Sequence, residues 1–233
     1  AMIKYGLMLF KGERGVEVDK KEAAQYFKMA LDQGDFDGMY NYASLLFNGE
    51  GVRAKTKEAI HYFKILADDR EHLQGMNMYG TVLFLGIEIP TDVEKAVYYF
   101  RTAARKGCPE AMFSYACCLY NGSGVPLNKK ESFRFYKMGA DNGEVHSFAN
   151  CAIMLLLGEG VQTNKNEAAK YMKIAADEGI EKAMFYYSVL LQNGIGVKTN
   201  KKESLRYLKM SADKGHLIAI KKNCSIVSNR KRS

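Results

Sequence analysis

The feature that most limits how this 233-residue chain can fold is a glycine that returns every 36 or 37 residues. It stands at Gly12, Gly49, Gly86, Gly122, Gly158 and Gly194, in steps of 37, 37, 36, 36 and 36. Fixed neighbours travel with it. Three residues before it comes Leu9, Leu46, Leu83, Leu119, Leu155 or Leu191, and seven before it Tyr5, Tyr42, Tyr79, Tyr115, Cys151 or Tyr187. Ten or eleven residues after it comes a small residue, with an aromatic three further on: Ala23/Tyr26, Ala59/Tyr62, Ala96/Tyr99, Ser132/Phe135, Ala168/Tyr171 and Ser204/Tyr207. Thus "NGSGVPLNKKES" at 121–132 and "NGIGVKTNKKES" at 193–204 lie two periods apart in a six-fold array. Self-similarity at such a period marks a stacked repeat architecture.

Each period reads as two helices. Within 111–121, Ala111, Tyr115, Ala116 and Leu119 fall at i, i+4, i+5 and i+8, one apolar face of a 3.6-residue helix. Asn121-Gly122 closes it, because glycine accepts the left-handed conformation that ends a helix. The second helix opens with a capping box, a polar cap with Glu three residues on: Asp19/Glu22, Thr91/Glu94, Asn128/Glu131, Asn164/Glu167 and Asn200/Glu203. Lys55 replaces the cap in the second period, where the start is expected to be less well fixed. The second helices are expected to end near Gly34, Gly107, Gly143, Gly179 and Gly215, with Ala104, Ala140, Ala176 and Ala212 allowing close backbone approach. Neither helix can bury its stripe alone, so neighbours must stack into a solenoid.

On these residues the chain resembles the Sel-one-like repeat (SLR) family, relatives of the tetratricopeptide repeats with a longer interhelix loop. The block "AMFSYACCLYNGSGVPLNKKESFRFYKMGADNG" at 111–143 and its copies carry the likeness over about positions 1–219, with a half-period to about 227. The resemblance implies an all-α fold, a right-handed α/α superhelical solenoid of six helix pairs plus a C-terminal half-repeat. The expected repeats are 1–37, 38–74, 75–110, 111–146, 147–182 and 183–218, then a terminal helix 219–227 and a disordered basic tail 228–233. It also implies an adaptor or scaffold for other proteins. Family roles include assembly of degradation complexes, activation of cell-wall synthases, signalling and bacterial manipulation of hosts. A secreted branch ties each helix pair with a disulfide, but no cysteine pair recurs here per period. The pattern breaks at Asp68-Asp69-Arg70-Glu71-His72, which lacks the glycine, and at Glu88, which takes the place of the loop's second glycine. A different bend is expected around 68–90.

In the tetratricopeptide relatives the first helices line the concave face. Carried over by register, this gives four columns: Ile3, Tyr40, Asn77, Phe113, Ala149, Phe185; Leu7, Ser44, Thr81, Cys117, Ile153, Val189; Phe10, Phe47, Phe84, Tyr120, Leu156, Gln192; and Lys11, Asn48, Leu85, Asn121, Leu157, Asn193. The groove so formed is apolar and aromatic. A partner peptide or protein is expected at Phe10, Tyr40, Phe47, Asn48, Phe84, Phe113, Tyr120, Asn121, Phe185 and Asn193. Two alternatives stand beside this: the aromatics pack between neighbouring helices, and the asparagines before glycine simply terminate helices. A lysine and arginine column on the second helices, Lys28, Lys64, Arg101, Lys137, Lys173 and Lys209, reads as a solvated outer face or as a contact for an acidic partner.

Signals for chemistry are weak. "NGEGV" and its relatives look like phosphate loops, but they recur between two helices and no GxxxxGK[ST] occurs. His61, His72, His146 and His216 share no register and offer no i,i+4 metal pair. Cys108, Cys117, Cys118, Cys151 and Cys224 read as reduced, buried thiols. Net charge is +8, but Lys221, Lys222, Arg230, Lys231 and Arg232 crowd the last residues, so nucleic-acid binding is not expected. The sequence therefore points to a non-enzymatic interaction scaffold without cofactor or metal, in the cytoplasm, since no signal peptide or membrane span is visible. The alternative function is a self-associating module that stacks as a homo-oligomer through its uncapped terminal helix.

Overall fold

The structure, a computed structural model, describes residues 1–13, 15–68 and 72–230, with side chains as far as Asn223. Among these residues there are thirteen helices and no strand: α1 (Met2–Lys11), α2 (Lys20–Asp32), α3 (Phe36–Asn48), α4 (Thr56–Asp68), α5 (Leu73–Leu85), α6 (Val93–Arg105), α7 (Pro109–Asn121), α8 (Lys129–Asp141), α9 (Val145–Leu157), α10 (Lys165–Asp177), α11 (Glu181–Asn193), α12 (Lys201–Asp213) and α13 (Leu217–Arg230). The fold is the all-α helical repeat that the periodicity requires. Two compact units are present, residues 1–114 and residues 115–233. The last helix starts before 219 and runs past 227. Residues 231–233 of the expected tail, like Asp69, Arg70 and Glu71 of the irregular stretch, lie outside the described residues.

The recurring leucines are the core. Leu9, Leu46, Leu83, Leu119, Leu155 and Leu191 are all buried, as are the small residues from Ala23 to Ser204 that face them. Each leucine contributes roughly 1.5–3 kcal/mol. The tyrosine column meets the aromatic column edge to face within single repeats. Tyr5–Tyr26, Tyr115–Phe135 and Tyr187–Tyr207 have centroids 4.9 Å apart, and Tyr79–Tyr99 5.4 Å. Such pairs add about 0.5–1.5 kcal/mol beyond area burial.

The caps confirm the second-helix starts, with one correction. Asp19, Asn128, Asn164 and Asn200 each accept the backbone N–H three residues on, at 2.8–3.1 Å. In the third period the cap is Asp92, not Thr91: its Oδ1 accepts from Lys95 N at 3.0 Å, and the helix begins at Val93. The small residue four after each cap would have fixed this, since Ala96 follows Asp92 as Ala23 follows Asp19. At α4 the Lys55 ammonium pairs with Glu58 at 2.9 Å.

Neighbouring repeats touch where a side chain is missing. A Cβ on Gly196 would stand 1.8 Å from the carbonyl oxygen of Lys165, and one on Gly51 2.1 Å from that of Lys20. The interhelix loop of one repeat therefore lies against the first turn of the second helix before it. Glu88 fills this slot in the third repeat, and it adopts the same left-handed conformation, φ 58° against 69° at Gly51. The Glu88 side chain reaches Lys57 at 3.9 Å.

Both Gly196 and Gly143 have positive φ, but nothing lies within 4 Å of a Cβ on Gly143. Gly143→Ala should therefore cost only the backbone strain, about 1 kcal/mol, and Gly196→Ala at least about 2 kcal/mol more. Urea denaturation midpoints of the two variants check this; equal losses would remove the close approach as a determinant of stacking.

Candidate functional site

The expected groove columns have a consistent exposure. Seventeen of the eighteen residues in the first three columns are half-buried, and all six of the fourth are exposed. The first helices thus turn their leucines inward and leave an apolar stripe partly in solvent. In unit one, Tyr40 and Phe47 both rest on Phe63, at 6.1 and 5.9 Å between centroids, and Phe84 rests on Phe100 at 6.3 Å. Phe113 is half-buried on α7. These rings are partly core and partly surface, so both readings of the aromatics hold in part.

Two of the candidates take part in ties between repeats. Lys20 lies over the Phe10 ring at 5.1 Å and pairs with Glu50 of the next loop at 3.2 Å. Lys129 lies over Tyr120 at the same distance and pairs with Glu159 at 2.6 Å, while the Tyr120 hydroxyl donates to Glu159. Hydrogen bonds from Lys129 and Tyr120 hold the Glu159 carboxyl below its ordinary range. Asn121 and Asn193 each donate their side-chain amide to the carbonyl one turn back, Cys117 and Val189, at 3.0 Å. Their donors serve helix termination. Asn48 is exposed at the end of α3.

The basic column is tied into the fold at three places. Lys64, Lys137 and Lys173 pair with Asp68, Asp141 and Asp177 four residues on, at 3.5, 3.6 and 2.6 Å. Tyrosines of the following repeats then join: Tyr99 donates to Asp68, and Tyr207 donates to Asp177. Burial and Asp177 push the Tyr207 hydroxyl up to about 12. Burial works to raise the Asp177 carboxyl, but hydrogen bonds from Lys173 and Tyr207 outweigh it and leave it below the usual range.

Contrary to the expectation that the histidines share no register, two of them occupy the same one. His72 and His216 stand 144 residues apart, four periods, and both cap first helices. His72 Nδ1 accepts from Gly75 N at 3.1 Å, and His216 Nδ1 from Ala219 N at 3.3 Å. Each stacks on a candidate of the repeat before, His72 on Tyr40 at 5.3 Å and His216 on Phe185 at 4.8 Å. Their register with Asp35 was the available signal.

In unit two a cleft of about 320 Å³ opens between α9 and α11, lined by Ile153, Leu156, Leu157, Tyr186 and Val189 with Met172 and Leu190 beneath. Tyr186 was absent from the sequence columns. Burial pushes the Cys108, Cys118 and Cys151 thiols up to about 12, which keeps them protonated and poorly nucleophilic. Cys117 is also a free thiol, and accepts from the Tyr136 hydroxyl at 3.1 Å; the Cys224 side chain lies outside the described residues. Among the described residues no group of three or more His, Cys, Asp or Glu could hold a metal ion, and no helix is long and apolar enough to cross a membrane.

The Sel1 repeat model matches six times, at residues 1–35, 36–69, 73–108, 109–144, 149–180 and 181–216. The chain belongs to the Sel1 repeat family. Sel1 repeats are generally protein-interaction modules rather than enzymes. Solved structures agree on the fold. A protective antigen of uropathogenic Escherichia coli with an SLR fold superposes with a TM-score of 0.74 at 25% identity, over 98% of this chain and 48% of that one. The chain thus spans about half the length of that protein. A Sel1 repeat protein from Oxalobacter formigenes gives 0.76 at 24% identity, over 90% of this chain and 83% of that one. An immunity protein from Pseudomonas aeruginosa gives 0.63 at 17%, over 91% and 80%. No curated protein matches the sequence.

The Asp177 tie carries a pH signature. A carboxyl whose folded pKa is depressed contributes stability above its unfolded pKa of about 3.9, and loses it as pH falls through the folded value. Tyr207→Phe removes one of the bonds that depress it. The variant should lose about 1 kcal/mol at pH 7 and show a smaller further loss between pH 5 and pH 2 than the parent. Denaturant titrations across that range test the sign; parallel pH profiles would show that the tie contributes nothing.

Proposed function

We propose that this Sel1 repeat chain is a non-enzymatic scaffold that holds a partner peptide or protein against the apolar faces of its first helices. The supporting observation is the exposure pattern: leucines face inward, while Tyr40, Phe47, Phe84, Phe113 and Phe185 stay half-exposed at repeating positions. Half-exposed aromatics on rigid elements are the usual energetic centres of protein interfaces. Such a face costs little ordering entropy on binding, because the rings are already held by Phe63, Phe100 or His216. The free thiols fit a reducing, cytoplasmic setting. A second reading, self-association through α13, has support in Leu217 and Ile218, which are 73% and 58% exposed.

The test separates surface from fold. A partner captured from native lysate is re-expressed and titrated against the parent, Phe84→Ala/Phe113→Ala and Leu85→Asn. Leu85 is 60% exposed, and Asn occupies its register in α3, α7 and α11, so that variant should fold unchanged. Binding should weaken about tenfold in the double variant, a loss of about 1.4 kcal/mol, and about threefold in Leu85→Asn. Unchanged affinity in both, with helicity intact, would exclude this face.

A further inference from the structure

We infer that the cleft between α9 and α11 seats a bulky apolar side chain from an acidic segment of a partner protein. This rests on the scaffold reading and deepens it by naming the partner's chemistry. The cleft's volume of about 320 Å³ lies at the low end for small-molecule sites, which suits one or two inserted side chains rather than a cofactor. Its rim is greasy and open: Leu157 is 64% exposed and Tyr186 45%. Its floor, Met172 and Leu190, is core. The position opposite Leu157 on α11 is Asn193, whose amide is already committed to its own helix.

Charge selects the occupant. Residues 115–233 carry nineteen Lys and Arg against ten Asp and Glu, whereas residues 1–114 carry fifteen against sixteen. Three of the nineteen, Arg230, Lys231 and Arg232, lie beyond the described side chains, and the first helices of this unit are themselves poor in carboxylates. Helix α9 contains no carboxylate, α11 contains only Glu181, and α13 contains none. The Glu144 carboxylate before α9 is engaged by the backbone N–H of Ser147 at 2.6 Å and of His146 at 3.0 Å. Lys182 is exposed one turn before Tyr186 on the same side of α11, and Lys221 is exposed on α13. A basic or neutral peptide would gain the apolar contact alone. An acidic one gains it together with complementary charge, which raises its association rate and selects it over other apolar segments.

The probe is a fluorescein-labelled dodecapeptide built from alternating Glu-Glu and Leu-Leu pairs, titrated by anisotropy against the full chain. Controls exchange Glu for Lys or Leu for Ala. The Glu–Leu peptide should bind saturably and at least tenfold more tightly than either control. Leu157→Asn, which copies the residue at that register in α3, α7 and α11, and Lys182→Glu should each weaken it about fivefold without moving the thermal midpoint. Equal binding of the Lys–Leu peptide would overturn the charge argument, and equal binding by Leu157→Asn would overturn the cleft. A concentration-dependent dimer in light scattering that Leu157→Asn dissolves would assign the cleft to a second copy and overturn the proposal. If a protein partner sensitive to Phe84 and Phe113 still binds while the dodecapeptide does not, the cleft alone fails and the scaffold reading stands.

Discussion

The stack depends on two places in the repeat where a side chain is small or absent, the second of which Glu88 occupies in the third repeat. One lies three residues into the first helix, at Gly38, Gly75, Ala111, Ser147, Ala183 and Ala219, all of them buried. A Cβ on Gly38 or Gly75 would stand 2.5 Å from the Cβ of Ala30 or Leu66 in the preceding second helix. The other is the second loop glycine, which rests against the backbone of that same second helix. Close packing of this kind leaves little slack, and the first slot admits nothing larger than alanine or serine. The period of 36 or 37 residues is therefore more than a pattern of hydrophobicity. It is the spacing at which these two gaps meet the element before them.

Given that spacing, the fate of each first-helix position follows. The residues that face the partner helix become leucine, tyrosine and alanine, and apart from Tyr5 in the first helix they are buried. The residues a third of a turn away cannot be covered, because each repeat is only two helices deep. They are left half-exposed whatever their identity, from Ser44 and Thr81 to Phe47 and Leu156. Function in such an architecture is written on positions that the fold leaves uncommitted, which is why a shared fold with bacterial proteins at 15–25% identity says so little about a shared partner.

Most of the fold was legible because it rests on spacing, and spacing survives in sequence. The cap at Asp92 lies one residue from the Thr91 expected from Glu94, because the small residue packed against the core, Ala96, holds register more firmly than the capping-box glutamate. The ties between repeats were harder to see. Tyr207 and Asp177 are 30 residues apart and lie on different helices, so no local pattern joins them. The same holds for Tyr120 and Glu159, 39 apart. His72 and His216 were missed for another reason: the same slot holds Asp, Cys, Glu or Ile elsewhere, so composition hides a role that geometry makes plain. Of the candidate site, the aromatic columns were visible, but the cleft was not. It exists because Leu157 and Tyr186 lie on neighbouring first helices, a relation that no single-helix pattern encodes.

Charge in this chain divides by what it is already doing. Lys64, Lys137 and Lys173 looked like an outward basic stripe, yet each is paired with an aspartate, and at Asp68 and Asp177 a tyrosine from the next repeat joins the pair. Lys20 and Lys129 are likewise held by loop glutamates. Exposed pairs of this kind contribute little individually, but a tyrosine hydroxyl shared with the pair links one repeat to the next and gives the stack a directional hydrogen bond where apolar packing has none. A lysine so engaged says nothing about a partner. The informative charges are those on a face whose carboxylates are few, and in this chain such a face coincides with an open apolar cleft.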